Sequence, residues 1–274
     1  MTAEQQSTVG SERFVVTGCQ RSGTTLLGMA LEAHPRIDFM DESDRRFHTK
    51  GDLGRTLDLA AVVARVGSAG RLAGFKAPRD SHRVEEIDRA LPSVRIVWVE
   101  REVRQVVASM LSLATKTGSW ASQQASVEIA KHLEVVDDEP ARGLLVAADE
   151  LRDDRATAVA LAALCWAVKR GQRHAAMQIL GSRLFVVDYD ELVTAPDRTL
   201  EGLLDFLEVG WSQDVLDHPS AVDHSPEFRR PGKADSSRVI DTESQRKWTL
   251  LSPEDLAVIE TIEQCYREGI SPDW

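Results

Sequence analysis

The stretch Arg13–Thr17, RFVVT, is apolar inside and β-branched, and it runs directly into Gly18-Cys19-Gln20-Arg21-Ser22-Gly23-Thr24-Thr25. A short, continuously apolar run of this kind reads as a strand buried on both faces, the signature of a parallel sheet. The segment Thr24–Ala33 that follows has helical periodicity. A buried strand that enters a glycine-bounded turn and leaves as a helix aims successive backbone N–H groups into one concavity. The helix N-terminus adds the positive end of its dipole. The expectation is an anion site at this turn.

The rest of the chain extends the pattern. Arg95–Val99 (RIVWV) and Arg183–Asp188 (RLFVVD) repeat the buried-strand composition, and Leu72–Lys76 (LAGFK) repeats it more weakly. Helical periodicity recurs in Val103–Leu113, Ala156–Ile179 and Arg198–Leu207. This alternation predicts an α/β fold, a P-loop-like parallel sheet of about four to five strands flanked by helices. A single domain over residues 13–274 is expected, behind a flexible polar segment at residues 1–12. Thr115–Leu151 is polar with helical stretches, and residues 217–247 are rich in Pro, Ser, Asp and Arg without periodicity. A loop of the latter length in a compact domain is usually functional or disordered. Ser252-Pro253-Glu254-Asp255 reads as the start of a last helix, with Ser252 as N-cap and Pro253 at its first position.

Charge and cysteine content narrow the function classes. With 33 Lys and Arg against 44 Asp and Glu, the formal net charge is −11, which gives no general attraction to nucleic acid or anionic membrane. Any phosphate group must therefore be held by a local basic cluster. Cys19, Cys165 and Cys265 are odd in number and far apart, so neither a disulfide framework nor a metal-ligand spacing is visible. Without a secretory signal or an apolar run long enough to span a bilayer, the expected location is cytoplasmic.

The turn has the spacing of a Walker A loop, except that Thr24 stands at the lysine place. That lysine reaches the β- and γ-phosphates of a nucleoside triphosphate. Its replacement disfavours triphosphate hydrolysis, while Arg21 inside the turn still supplies positive charge. The expected ligand is a nucleotide with a short anionic 5′ end. A P-loop small-molecule kinase stays open as an alternative, as does a nucleotide-binding protein that has lost catalysis.

At this point the chain resembles the sulfotransferases that use 3′-phosphoadenosine-5′-phosphosulfate (PAPS). Arg21-Ser22-Gly23-Thr24-Thr25-Leu26 looks like their 5′-phosphosulfate loop. Arg101 at the end of a strand, followed eight residues on by Ser109, looks like their 3′-phosphate pair. The stretch from Gly18 to Glu42, with Ala33-His34-Pro35, is most similar to the tyrosylprotein type and its bacterial relatives. Phe75-Lys76-Ala77-Pro78, Val187-Asp188-Tyr189-Asp190 and Lys247-Trp248 resemble three further nucleotide-side segments of the family. The resemblance implies a PAPS donor, no metal, and donor contacts from Arg21, Ser22, Gly23, Thr24, Thr25, Arg101, Ser109, Tyr189 and Lys247. Two family features are missing. Ala77 and Pro78 follow Lys76, where the hormone-type enzymes carry a histidine base, and the family's late Arg-Lys-Gly loop has only Arg229, Arg230, Lys233 and Arg238 as a substitute.

Sulfonyl transfer asks a protein to align attacking and leaving oxygens and to neutralise charge on the leaving one. Arg21 and Lys76 are the expected electrostatic groups. The acceptor hydroxyl needs a base, and Glu42 takes the position of the catalytic glutamate of the tyrosylprotein type. The plain alternative is a surface acidic cluster, since Asp38, Asp41 and Asp44 crowd around it. His48 and His224 are reserve bases. Residues 43–60, 115–151 and 217–246 are expected to face the acceptor, a small molecule, carbohydrate or lipid with a hydroxyl. Trp98 and Trp166 read as core.

Overall fold

Five parallel strands build the sheet of this computed structural model, which describes residues 13–51, 54–65, 71–115, 118–218, 240, 242–272 and 274. The chain begins with β1 (Arg13–Gly18), α1 (Thr24–Glu32) and β2 (Ile37–Met40). A small antiparallel hairpin follows, β3 (His48–Gly51) with β4 (Gly54–Leu57), then α2 (Leu59–Ala64) and β5 (Leu72–Lys76). A 3-10 turn at Pro78–Arg83 leads to α3 (Val84–Ala90), β6 (Arg95–Glu100) and α4 (Val103–Ser112). Beyond a short ribbon, β7 (Ala114–Thr115) with β8 (Gly118–Ser119), come α5 (Trp120–Val135), α6 (Glu139–Asp149) and α7 (Asp154–Leu180). The chain returns to the sheet with β9 (Leu184–Asp188) and continues through α8 (Tyr189–Thr194) and α9 (Pro196–Phe206). It ends with a 3-10 segment at Glu243–Leu250 and α10 (Pro253–Glu268).

The strand order is β2-β5-β1-β6-β9. From β1 the chain moves outward on one side to β2 and β5, and then crosses to β6 and β9 on the other. Such a reversal opens a crevice at the carboxyl ends of the central strands, where open α/β sheets bind ligands.

Both faces of the sheet are covered. Phe14 and Val16 of β1 face one side and pack with Leu27, Leu31 and Leu203 of α1 and α9. Val15 faces the other and packs with Phe75, Ile96 and Leu180. This period of two explains why the central strands read as unbroken apolar runs. β2 was not legible as a strand. It is an edge strand of four residues, and its half-buried Asp38 is held by Arg65 at 2.9 Å. The helical stretches expected in the polar region Thr115–Leu151 are α5 and α6. Ala125 and Ile129 of α5, and Ala141 and Leu144 of α6, are buried against α7, while their other faces stay polar.

Ser252 caps α10 as expected, with Pro253 in its first turn, and Asp255 completes a capping box. The described thiols, Cys19, Cys165 and Cys265, are all reduced and buried. No helix among the described residues is long and apolar enough to cross a membrane.

Candidate functional site

Glycine is required twice in the turn after β1. Gly18 has φ 136°, and a Cβ there would stand 2.3 Å from the Val99 carbonyl oxygen on β6. Gly23 has φ 105°, and its Cβ would meet the Tyr189 ring at 2.2 Å. Between them Arg21 is itself left-handed, at φ 72°. A non-glycine residue persists there only when its surroundings hold it. Arg101 Nη1 donates to the Arg21 carbonyl at 3.1 Å and does so. Gly23 is the N-cap of α1, so no side chain caps that helix, and no acidic residue offsets the dipole in its first turn. Ser22 Oγ is fully buried and has no hydrogen-bond partner among the described residues. An unpaired buried hydroxyl is costly, and an anion oxygen is the kind of partner it lacks.

The strand–helix junction after β6 lies against the same turn. Arg21 Nε donates to Ser109 Oγ at 3.2 Å. The Arg101 guanidinium stacks 4.1 Å from the centre of the Tyr189 ring, the ring that also covers Gly23. Arg101 Nε donates to Gln105 Oε1 at 3.0 Å, and Gln105 Nε2 reaches both oxygens of Asp190, at 3.2 and 3.1 Å. Trp166, buried as expected, donates Nε1 to the Arg101 carbonyl at 2.9 Å. Burial lowers the pKa of both guanidinium groups from the ordinary arginine value. Glu42 and Tyr189 oppose this at Arg21, whereas at Arg101 the nearby Arg21 charge adds to it. Two partly desolvated cations so close together favour an incoming anion.

Lys76, at the end of β5, is almost completely buried. Its Nζ donates to Thr25 Oγ1 at 2.8 Å and to Asp41 Oδ2 at 3.1 Å, and Glu42 Oε1 lies 3.6 Å away. Asp41 also accepts from the Ser43 N–H at 2.9 Å, and Arg55 Nη1 of β4 donates to the Glu42 carbonyl at 3.1 Å. The acidic residues in and after β2 are therefore divided. Asp41 and Glu42 turn to Lys76, while Asp38 and Asp44 pair with surface arginines.

Arg21, Ser22, Gly23, Thr24, Thr25, Glu42, Lys76, Arg101, Ser109 and Tyr189 thus share one end of the sheet. His48 is buried with Nδ1 3.2 Å from the Asp44 carbonyl and Nε2 3.1 Å from the Lys76 carbonyl, so both ring nitrogens face backbone oxygens. Asp188 caps α8 by accepting from the Asp190 and Glu191 N–H groups. The Lys247 side chain, His224 and the basic run Arg229, Arg230, Lys233 and Arg238 lie outside the described residues, as do most of residues 217–247. Trp248 beside Lys247 lies 5.6 Å from the Arg104 guanidinium of α4. Sequence reasoning missed Asp41, Gln105 and Asp190 as partners of site residues. Gln105 follows Arg101 by only four residues, so that contact is local along the chain, but the contacts of Asp41 and Asp190 depend on packing between distant segments.

Fold and site together define a P-loop-like α/β protein with a basic pocket at the carboxyl ends of its central strands. Its residues 55–213, more than half of the chain, match the model of the "Sulfotransferase family". The matched span includes Lys76, Arg101, Ser109 and Tyr189, while the turn after β1 precedes it. Among solved structures, the sulfotransferase domain of the Synechococcus PCC 7002 olefin synthase superposes with TM-score 0.55 at 19% identity, covering 91% of this chain and 93% of that one. The sulfotransferase domain from the curacin biosynthetic pathway gives TM-score 0.51 at 15% identity, covering 95% and 98%. The chain belongs to the sulfotransferase family and is an enzyme of sulfonyl transfer.

Proposed function

We propose that this enzyme takes the sulfonyl group from PAPS and places it on a hydroxyl of a small-molecule, carbohydrate or lipid acceptor, with Glu42 as general base. One observation carries the reading: the turn after β1 and the Arg101–Ser109 junction are joined by two hydrogen bonds, from the Arg21 side chain to Ser109 Oγ and from the Arg101 side chain to the Arg21 backbone carbonyl. A single bisphosphorylated nucleoside can then be gripped at both phosphoryl groups. Ser22 Oγ and the N–H groups at the start of α1 suit the 5′ end, and Arg101 with Ser109 suits the 3′-phosphate, which carries about two charges at neutral pH. Lys247 is proposed as a further donor contact.

Chemically, PAPS supplies an activated sulfonyl group whose bond to the bridging oxygen breaks as the acceptor oxygen bonds to sulfur. Lys76 and Arg21 neutralise the charge that collects on the leaving oxygen, an effect worth on the order of 3 kcal/mol per preorganised donor. Glu42, whose carboxylate lies 3.6 Å from Lys76 Nζ, accepts the hydroxyl proton. The acceptor would enter past residues 43–60, where Arg55 fixes the backbone of Glu42, and past the segments at residues 115–151 and 217–247.

Isotope-labelled PAPS incubated with the enzyme and a panel of hydroxyl compounds, read by mass spectrometry, tests the reaction. The expected products are a sulfonated acceptor and 3′,5′-ADP without added metal. Calorimetry with 3′,5′-ADP tests the donor site, and absence of binding would overturn the reading.

A further inference from the structure

Behind the turn after β1 lies a charged cluster with no part in the roles above. Glu128 of α5 is fully buried, and four side chains converge on its carboxylate. Gln20 Nε2 donates to Oε2 at 2.6 Å, Arg79 Nη1 to Oε1 at 2.7 Å and Lys169 Nζ to Oε2 at 3.2 Å, and Lys131 Nζ lies 3.9 Å away. Lys169 itself donates to the Pro78 carbonyl at 3.1 Å and to Ser81 Oγ at 2.8 Å.

The partners are distributed in an informative way. Gln20 adjoins Arg21 in the anion-binding turn. Pro78, Arg79 and Ser81 lie in the 3-10 turn that leaves β5 directly after Lys76 and Ala77. Glu128 is thus bonded to both turns, to one through Gln20 and to the other through Arg79 and Lys169. Burying such ions costs desolvation energy that an apolar filling would avoid, so stability alone does not account for them. An apolar filling, however, could not tie two loops to one point by directional bonds.

We propose that Glu128 is a positioning residue that locks the turn carrying Arg21 and the turn following Lys76 at a fixed separation, so that both cations reach the same sulfonyl donor. The proposal rests on the donor-site reading of those turns. Gln20 is the arm through which Glu128 acts on the first of them.

Gln20→Met tests it, because methionine nearly keeps the volume, leaves the charge unchanged and removes the bond to Glu128. The expected result is about a 10-fold loss in 3′,5′-ADP affinity and a comparable loss in kcat, the effect of one hydrogen bond to a charged group, with the thermal midpoint little changed. Affinity and kcat at the wild-type level would overturn the proposal. If Gln20→Met lowers the midpoint by more than a few degrees, the exchanged pair decides. Gln20→Glu combined with Glu128→Gln restores an amide–carboxylate bond at unchanged net charge. It is expected to recover most of the affinity lost by Glu128→Gln alone, and a pair no better than that single variant would overturn the proposal. Failure of the wild-type enzyme to bind 3′,5′-ADP overturns the donor-site reading and this one with it. Wild-type binding that Gln20→Met leaves unchanged overturns this one alone.

Discussion

The ammonium of Lys76 stands 2.8 Å from the hydroxyl of Thr25, at the first turn of the helix that follows the glycine-bounded turn after β1. The sequence of that turn has Thr24 where a Walker loop has its lysine. The fold brings a lysine to the same helix terminus from β5, the strand beside β1. The charge thus arrives from a different segment, together with Asp41 and Glu42 as its counter-ions.

Glu42→Gln keeps the shape of the side chain and removes its basicity. Turnover is expected to fall by roughly 10²-fold or more, within the range of general-base catalysis, while PAPS affinity barely changes. Steady-state kinetics with nucleotide titration checks this. Near-wild-type turnover would remove Glu42 from the mechanism and turn attention to Asp41, which is closer to Lys76.

Arg101→Ala removes a guanidinium held in place by Gln105 and the Tyr189 ring. Affinity for 3′,5′-ADP is expected to drop on the order of 10²-fold, while affinity for 5′-AMP, which lacks the 3′-phosphate, changes far less. Parallel calorimetric titrations give the ratio. Equal losses for the two nucleotides would show that Arg101 supports the fold of the turn and not the 3′-phosphate.

Gly23→Ala places a methyl group 2.2 Å from the Tyr189 ring, at a backbone φ of 105°. Strain of this kind costs about 1–3 kcal/mol before the ring is displaced. Lower thermal stability and loss of nucleotide binding are expected together, because the ring that must move also stacks on Arg101. Unchanged binding in a stably folded variant would separate Tyr189 from the site.

His82, in the turn after Lys76, gives the fold an acid sensitivity. Burial, with Lys169, Lys131 and Arg83 nearby, pushes its pKa down from 6.5 to about 3. Between those values the unfolded chain binds a proton that the native state does not. The stability contributed by neutral His82 is therefore complete above about pH 6.5 and declines as pH falls, by roughly 2 kcal/mol at pH 5. His82→Gln is expected to flatten this decline. Urea unfolding of both proteins at pH 7 and pH 5 measures it, and an unchanged pH dependence in the variant would exclude His82 as its source.

The central strands and the long helices were legible because their signal is local. RFVVT and RIVWV are apolar on both faces, and β1 and β6 are buried within a residue of their expected ends, whereas LFVVD forms the edge strand β9, in which Val187 alone is fully buried. β2, at the opposite edge, was not legible, because it has only four residues and its Asp38 interrupts the apolar run to pair with Arg65. Helical stretches were legible in Thr115–Leu151, but not the bounds of α5 and α6, since each buries one narrow stripe of apolar residues.

The candidate site divides along the same line. Arg21-Ser22-Gly23-Thr24-Thr25 and the Arg101–Ser109 spacing are contiguous or nearly so, and the constraints that shape them are backbone φ angles and the start of a helix, which residue types alone record. Sequence therefore determined the fold class, the glycine-bounded turn after β1 and the basic strand–helix junction after β6. Only the tertiary structure decided that Arg21 reaches Ser109, that Lys76 serves the helix after β1, and that Glu128 joins two turns from α5, its partner Gln20 lying 108 residues away along the chain. Hydrogen bonds and ion pairs act within about 3 Å in space at any separation along the chain, so no local pattern of residues encodes which distant partners the packing of sheet and helices will bring together.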